Sequence, residues 1–292
     1  MKTISLSMIV KNEENHLATA LESVKGIDEI VICDTGSIDN TVELAKKYTD
    51  KVFTDYVWAD DFAEARNHVL EKCTGDWILI VDADERLESN VSDLYQEIEK
   101  AEKLNAITIN VNVISERNSN VHKQPRLFKR CEKNFWRGAI HNTLSTTAQM
   151  ESPLVIRYGY SDAHKLDPDR ALRILSKEVE KNPDCSREKY YLAREYWYRK
   201  DYQTAYDWYE QYLSKPTWNP ERADAYLMAA KCLWNIQRGE EARKMCLNAI
   251  NINPDFKEAL LFMAEMHYDP NKSKWLKMAN VAENKDVLFV RT

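Results

Sequence analysis

Residues 75–85 read GDWILIVDADE, a short apolar run that ends in acidic side chains. A run of this length, rich in apolar and β-branched residues, is typical of a strand that is buried on both faces. Asp82, Asp84 and Glu85 stand directly after the run. The stretch predicts a central strand of an α/β sheet with carboxylates at its carboxyl end, where open sheets of this class bind ligands.

Three further strands are predicted upstream, over residues 4–10, 29–33 and 51–54. Helical patterns separate them, and Asp39 is placed to cap a helix over residues 41–47. Strands that alternate with helices indicate β-α-β units and a mainly parallel sheet. Polar residues also follow the first two strands, so three stretches of chain are expected to meet at one crevice.

Downstream, a helix is predicted over residues 91–104 and a half-buried strand over 106–113, followed by shorter extended pieces. From Pro168 onward the pattern is helical only, and small residues recur at fixed offsets. Three proline and alanine pairs are ten residues apart: Pro183 and Ala193, Pro220 and Ala230, Pro254 and Ala264. Ala205 and Ala242 each follow a repeat alanine by twelve. This periodicity resembles the tetratricopeptide repeat and predicts an α/β domain over 1–165 and an all-α repeat domain over 166–292.

Composition limits the class of protein. The 292 residues, 44% hydrophobic and 30% charged, suggest about two water-soluble globular domains. Six cysteines without a C-x-x-C pair indicate free thiols in the cytoplasm, not a disulfide framework or zinc module. The sequence shows no signal peptide and no stretch long enough to span a membrane. Six glycines without a G-x-G-x-x-G motif or a P-loop disfavour dinucleotide oxidoreductases and P-loop NTPases.

Charge is distributed unevenly along the chain. Residues 1–166 hold 20 Lys and Arg against 27 Asp and Glu, and residues 167–292 hold 21 against 20. An acidic first half argues against a broad nucleic-acid footprint. One segment is an exception, because six basic residues fall within fifteen positions: Lys123, Arg126, Lys129, Arg130, Lys133 and Arg137. It is either an anion-facing loop or a solvated charged hairpin.

Asp82 and Asp84 form a D-x-D pair. In an extended segment, residues two apart project to the same side, so both carboxylates are expected to face one cation. Oxygen ligands of this kind suit Mg²⁺ or Mn²⁺, which complete their coordination with water and substrate phosphates. The alternative is that these aspartates are only turn or capping residues.

Four motifs occur in order: MIVKNEEN, VICDTGSIDNTVELAKKY, WADDFAEARN and GDWILIVDADE. Together they resemble the family 2 glycosyltransferases with the GT-A fold, over about the first 160 residues. A subgroup of that family also carries C-terminal tetratricopeptide repeats, as the peptide S-glycosyltransferases do. The resemblance implies metal-dependent transfer of a sugar from a nucleotide diphosphate sugar, with a UDP-sugar as donor and inversion at the anomeric carbon.

The resemblance also assigns residues to the nucleotide: Glu13, Asp34, Gly36, Asp61, Arg66, Asn67 and Asp82. Glu13 and Asp34 would recognise base and ribose, and Gly36 would let the backbone approach closely. Asp61 would lie near the base, with Arg66 and Asn67 directed to ribose or phosphate. An ion pair on a helix surface is the structural alternative for Arg66.

Asp84 would ligate the metal directly, with Asp82 near the ribose and the metal. His141 would be the third ligand, since GAIHN resembles the subgroup's G-x-I-H-E segment, although Asn142 replaces its acidic residue. A packed structural histidine is the alternative.

Breaking the bond between sugar and diphosphate develops negative charge on the leaving group, which the cation and Arg126 or Lys129 would stabilise. The acceptor's proton needs a general base, and spacing does not choose among Glu85, Asp162 and His164.

The acceptor is left open. A peptide or protein, a glycan, and DNA carrying a modified base are all compatible with the transferase hypothesis. A nucleotide-sugar-binding module without transfer activity is the alternative class. Eleven Tyr and Trp residues lie within residues 190–218. Most are expected in the repeat core, while others could line a groove for a partner or mediate a homodimer through the helical repeats.

Overall fold

The structure is a computed structural model. It describes residues 2–116, 121–159, 167–215 and 218–288. The chain divides into two compact units, Met1–Arg170 and Ala171–Thr292. Two of the candidate general bases, Asp162 and His164, lie outside the described residues.

Within the described residues, the first unit combines one large sheet, one small sheet and four helices that lie wholly inside it. Its strands are β1 (Ile4–Val10), β2 (Glu29–Asp34), β3 (Val52–Phe53), β4 (Trp77–Ile80), β5 (Glu85–Leu87), β6 (Thr108–Ser115), β7 (Val121–Lys129), β8 (Phe135–Arg137), β9 (Thr143–Ser145) and β10 (Gln149–Tyr158). Its helices are α1 (Leu17–Ser23), α2 (Thr41–Ala45), α3 (Phe62–Lys72) and α4 (Val91–Leu104).

Eight strands form the large sheet in the order β3-β2-β1-β4-β7-β6-β10-β5, and β8 pairs with β9 separately. The pairs β3–β2, β2–β1, β1–β4 and β6–β10 are parallel, which confirms the mainly parallel sheet. The three pairs β4–β7, β7–β6 and β10–β5 are antiparallel. The basic segment from Lys123 onward therefore begins inside a strand, β7, and not in a loop.

Both faces of the large sheet are covered, which explains the unbroken apolar run in β4. Trp77 and Leu79 share a core cluster with residues of α1 and α4. Ile78 and Ile80 point to the other face, where they cluster with residues of α3 and of the β8–β9 hairpin. The helix α3 and this hairpin thus lie on the same side of the central strand.

Local capping fixes where the helices begin. The Asp61 carboxylate accepts the Glu64 amide proton at 2.9 Å and caps α3. Asp39 accepts from the amide of Thr41, two residues on, so it forms a turn beside the helix start and is not its N-cap.

The described residues of the second unit form helices joined by short connections, and α5 (Arg170–Lys181) begins at the last residue of the first unit. The other helices are α6 (Ser186–Tyr198), α7 (Tyr202–Leu213), α8 (Asn219–Asn235), α9 (Gly239–Ile252), α10 (Lys257–Glu265) and α11 (Asn271–Val281). Three consecutive pairs of helices, α6–α7, α8–α9 and α10–α11, pack against each other. The repeat alanines are fully buried, as small residues between packed helices are expected to be.

No helix in the described part of the chain combines the length and the apolar character that a membrane span requires.

Glu29 ties together the starts of β1 and β2 and the segment before β4. It accepts hydrogen bonds from Ser5 and from the amide (2.7 Å) and hydroxyl (2.8 Å) of Thr74, and it pairs with Lys51. Burial alone would raise the pKa of Glu29, but the bonds from Lys51, Ser5 and Thr74 outweigh it and lower the pKa to about 2.

The ionised form of Glu29 therefore stabilises the fold above pH 4.5, and this contribution is lost as the pH falls toward 2. We expect Glu29→Gln to lower the free energy of unfolding at pH 7 by about 2 kcal/mol and to flatten its dependence on pH below 4.5. Urea unfolding between pH 2.5 and 7 measures both. Glu43→Gln, at an exposed ion pair with Lys46, is the control and should change stability little. Equal effects of the two substitutions would contradict the prediction.

Candidate functional site

The turn after β2 is shaped by Asp34. Its Oδ2 accepts the amide protons of Gly36 (3.0 Å) and Ser37 (2.9 Å), while Gly36 adopts a φ of 104°, which a residue with a side chain rarely does. Asp34 is buried, and its Oδ1 has no hydrogen-bond partner among the described residues. A buried carboxylate oxygen without a donor is an acceptor suited to a ligand N–H or O–H group.

Hydrogen bonds join this turn to the one after β1. The Asn12 amide donates to the Ser37 hydroxyl at 2.9 Å, and the Asn12 side-chain oxygen accepts from the Ile38 amide at 2.8 Å. The amide of Glu13, a buried residue, donates to the Thr41 hydroxyl at 2.7 Å. Because β1 and β2 are neighbours, these bonds fix Glu13 and Asp34 in one rigid cradle at the carboxyl edge of the sheet.

The acidic residues after β4 form a closed turn. The Glu85 amide donates to the Asp82 carbonyl at 2.9 Å, and the Asp82 amide donates back to the Glu85 Oε2 at 2.8 Å. The Asp84 carbonyl accepts from the Gly159 amide at 3.0 Å, which ties the turn to the end of β10. The segment that holds Asp82 and Asp84 is therefore a turn. The prediction that it is extended, from which a common side for the two carboxylates follows, is wrong.

Two arginines brace the turn. Arg66 Nη2 lies 2.8 Å from Asp82 Oδ1, and Arg126 Nη1 lies 3.4 Å from Asp82 Oδ2. Arg126 Nη2 also donates to Glu85 Oε1 at 2.6 Å, and Arg126 is only 8% exposed. Burial raises the pKa of Asp82, but the two guanidinium groups prevail and lower it to about 2, so that this carboxylate is ionised at neutral pH.

The pKa of Glu85 is shifted in the opposite direction from that of Asp82. Loss of hydration on burial raises the pKa of Glu85 to about 7, against the attraction of Arg126. Both of its carboxylate oxygens accept hydrogen bonds within the protein, one from Arg126 and one from the Asp82 amide. This geometry commits Glu85 to the turn and leaves it poorly placed as a general base for an acceptor.

The helix α3 carries the remaining nucleotide candidates. Asp61 caps the helix, and Arg66 makes its ion pair with Asp82 and not with the nearby Asp61 or Glu64 of its own segment. The Arg66 guanidinium also lies 5.2 Å from the centre of the Trp136 ring. Asn67 is bonded through both side-chain polar atoms to the backbone of Trp136 in β8.

His141 lies between β8 and β9. It is exposed and adopts a φ of 49°, a left-handed conformation that non-glycine residues adopt mainly in tight turns. Two residues earlier, the Ala139 carbonyl accepts from the Phe62 amide at 2.8 Å. The hairpin that carries His141 is thus docked on the first turn of α3.

The site can be tested for its fit to a divalent cation. Within the described ranges, no three His, Cys, Asp or Glu side chains are grouped as a metal site. Both Asp82 oxygens lie beside guanidinium groups, so Asp82 is a weaker candidate ligand than Asp84. Mg²⁺ is commonly bound by one or two carboxylates together with substrate phosphates. Of the two aspartates in the acidic turn, Asp84 is therefore the candidate for such a shared cation site.

The basic segment is largely engaged within the protein. Lys123 pairs with Glu151 at 2.9 Å, Lys129 pairs with Glu102 at 3.2 Å, and Arg130 Nε donates to the Gly75 carbonyl at 2.8 Å. Because of these contacts and the burial of Arg126, the segment does not form a continuous basic surface for a polyanion.

Sequence reasoning missed the Arg126–Glu85 pair and the role of Trp136. One signal was present, because Arg126 directly precedes Leu127 and Phe128, which are both fully buried. In a strand that is buried on both faces, a charged residue needs a counter-ion, but its partner cannot be identified from spacing.

The first unit is an α/β domain with a braced acidic turn at the carboxyl edge of its parallel strands, and the second unit is an array of helical hairpins. The glycosyl transferase family 2 model matches residues 5–159, and a tetratricopeptide repeat model matches residues 196–266. The chain belongs to glycosyl transferase family 2 and carries C-terminal tetratricopeptide repeats, as its four motifs and its repeat alanines predict.

Individual relatives match shorter stretches. A TPR repeat-containing protein of Synechococcus elongatus is 48% identical over 89 residues, 30% of this chain and 22% of that protein. The SPbeta prophage-derived glycosyltransferase SunS of Bacillus subtilis is 38% identical over 84 residues, 28% of this chain and 20% of SunS. The matches thus span about a fifth of these two curated relatives. The crystal structure of S. aureus TarS 1–349 in complex with UDP-GlcNAc aligns over 95% of this chain and 90% of its own, with 12% identity and a TM-score of 0.46.

Replacing Arg126 tests the bracing of the turn. Arg126→Met should lower the free energy of unfolding by about 3 kcal/mol, because it leaves the buried Glu85 carboxylate without its counter-ion. Urea denaturation at pH 7 measures the loss. Lys133→Met, at an exposed position, is the matched control and should change stability by less than about 0.5 kcal/mol. A similar loss in both variants would show that the buried pair does not stabilise the turn.

Proposed function

We propose that this protein is a glycosyltransferase that takes a sugar from a nucleotide diphosphate sugar, with a UDP-sugar as donor. The observation that carries the proposal is the meeting of three turns, after β1, β2 and β4, at one edge of adjacent parallel strands. This is where open α/β sheets bind ligands, and these turns hold the motifs of the family.

The cradle after β1 and β2 is proposed to bind the nucleoside. Asp34 Oδ1 offers an acceptor to a base N–H or a ribose hydroxyl, and Glu13 is held beside it. Gly36 presents backbone without a side chain at the bend, which permits close approach of the ligand. Asp61 supports this arrangement indirectly, since its carboxylate caps α3.

The acidic turn is proposed to receive the diphosphate end of the donor, with Asp84 and His141 as ligands of Mn²⁺ or Mg²⁺. When bound, the cation would supply positive charge to the leaving diphosphate. Asp82, ionised and held by Arg66 and Arg126, keeps the turn in shape and orients the ribose side of the site. Arg126 is buried, and it contributes by holding Asp82 and Glu85 in place.

In the proposed reaction an acceptor hydroxyl, thiol or amine attacks the anomeric carbon while the bond to the diphosphate breaks. A single displacement inverts that carbon, and the acceptor proton passes to a general base. Glu85 is not proposed as this base, because both its oxygens are used inside the turn.

We propose a peptide or protein, or a glycan, as the acceptor class. The repeat unit supports this proposal, since stacked helical hairpins present extended surfaces and here expose Tyr198 and Trp218, 61% and 62% accessible. The same surfaces suit a homodimer. A modified-DNA acceptor is not supported by the contacts of the basic segment. The six unpaired cysteines support a cytoplasmic location.

The activity can be tested by nucleotide release. A thermal-shift panel of nucleotide sugars with and without Mn²⁺ identifies the donor, and release of nucleotide in the presence of candidate acceptors measures turnover. Asp84→Asn should lower kcat by at least about 100-fold while leaving the melting temperature within about 2 °C. Asp50→Asn, at an exposed position, is the control. Donor binding without transfer to any acceptor would favour the binding-module alternative, and full activity of Asp84→Asn would refute its role.

His141 is tested separately through the metal. His141→Ala should raise the Mn²⁺ concentration for half-maximal activity by about tenfold or more, because one of the proposed ligands is lost. Thr143→Ala, at an exposed position in the same hairpin, should leave the titration unchanged. Identical Mn²⁺ titrations of wild type and His141→Ala would assign His141 a structural role.

A further inference from the structure

The side chain of Asn67 pairs with a backbone segment far away in sequence. Its Nδ2 donates to the Trp136 carbonyl at 3.0 Å, and its Oδ1 accepts from the Trp136 amide at 2.8 Å. One amide side chain thereby satisfies both backbone polar groups of one strand residue, as a neighbouring strand would. These two hydrogen bonds fix both the position and the orientation of β8.

Other contacts place this pairing beside the acidic turn. Arg66, the preceding residue, pairs with Asp82 and places its guanidinium 5.2 Å from the centre of the Trp136 ring, so consecutive residues of α3 contact both the acidic turn and the hairpin. The Phe62 amide bonds the Ala139 carbonyl, two residues before His141. Trp136 itself is 8% exposed and packs on Phe128 of the central sheet.

We propose that Asn67 is a positioning residue for the transfer reaction: it locks the β8–β9 hairpin, and with it His141, onto the helix that braces Asp82. The inference rests on the proposed function and deepens it. It replaces the sequence-based expectation that Asn67 contacts ribose or phosphate, because its two polar atoms already hold Trp136.

The two roles predict different kinetics. A residue that touches the nucleotide weakens nucleotide binding when it is truncated. Truncation of a residue that positions the hairpin leaves UDP binding in the absence of metal unchanged, but it loosens residues 135–145 and lowers kcat. The truncation also raises the Mn²⁺ requirement, because the loop that carries His141 no longer has a fixed position.

Two variants and one control test this. Asn67→Ala removes both bonds, and Asn67→Asp keeps the acceptor for the Trp136 amide but loses the donor to the carbonyl, which makes it the milder variant if Asn67→Ala folds poorly. Glu71→Gln, at an exposed position on the same helix, is the control. Hydrogen exchange by mass spectrometry, UDP titration without metal, and kcat with Mn²⁺ titration are measured for each.

We expect amide exchange in residues 135–145 to rise about tenfold in Asn67→Ala, and kcat to fall by about tenfold or more, with UDP affinity within twofold of wild type. Asn67→Asp should lie between Asn67→Ala and the control. The inference is overturned if amide exchange in the hairpin is unchanged, whether or not UDP affinity falls. Turnover by the wild type would still uphold the proposed function in that case. A wild type that turns over no nucleotide sugar and binds no UDP overturns the proposed function, and this inference with it.

Discussion

A charge cluster holds together the edge of the sheet that carries the candidate site. Arg126 pairs with both Asp82 and Glu85, and Arg66 pairs with the other oxygen of Asp82, so that two cations and two carboxylates lie together, with Arg126 and Glu85 buried. Removing one member leaves a buried charge uncompensated, which costs more than the pair itself contributes. The turn after β4 therefore has one low-energy arrangement, set by residues from α3 and β7 that are distant in sequence.

The same cluster connects the parts of the site. The sheet supplies adjacent strand ends, and the hydrogen bonds of Asn12 and Glu13 join the turns after β1 and β2. The helix α3 then links the third turn to the β8–β9 hairpin through consecutive residues, Arg66 and Asn67. A short helix with a single capping aspartate thus sets the geometry of much of the candidate site, which is consistent with the density of polar residues in its motif.

Periodicity predicted those elements whose residues obey one pattern. The strand at residues 4–10 and the helix at 91–104 have the predicted bounds, because an alternating apolar run predicts a strand and an apolar stripe at helical spacing predicts a helix. The sequence predicts β7 only as one of several shorter extended pieces, since its charged residues make ion pairs with distant partners that no local pattern shows. The closed turn at 82–85 is not predictable for the same reason, because its closure depends on the Glu85 side chain and on Arg126.

The helical hairpins of the second unit pack chiefly on their neighbours in sequence, and their core cluster is made of their own residues. Stability in such an array is carried locally, from one hairpin to the next. Duplication or loss of a hairpin during evolution can consequently lengthen or shorten the array without changing the residues of the first unit. Descendants of one ancestral gene can in this way differ in the number of their hairpins.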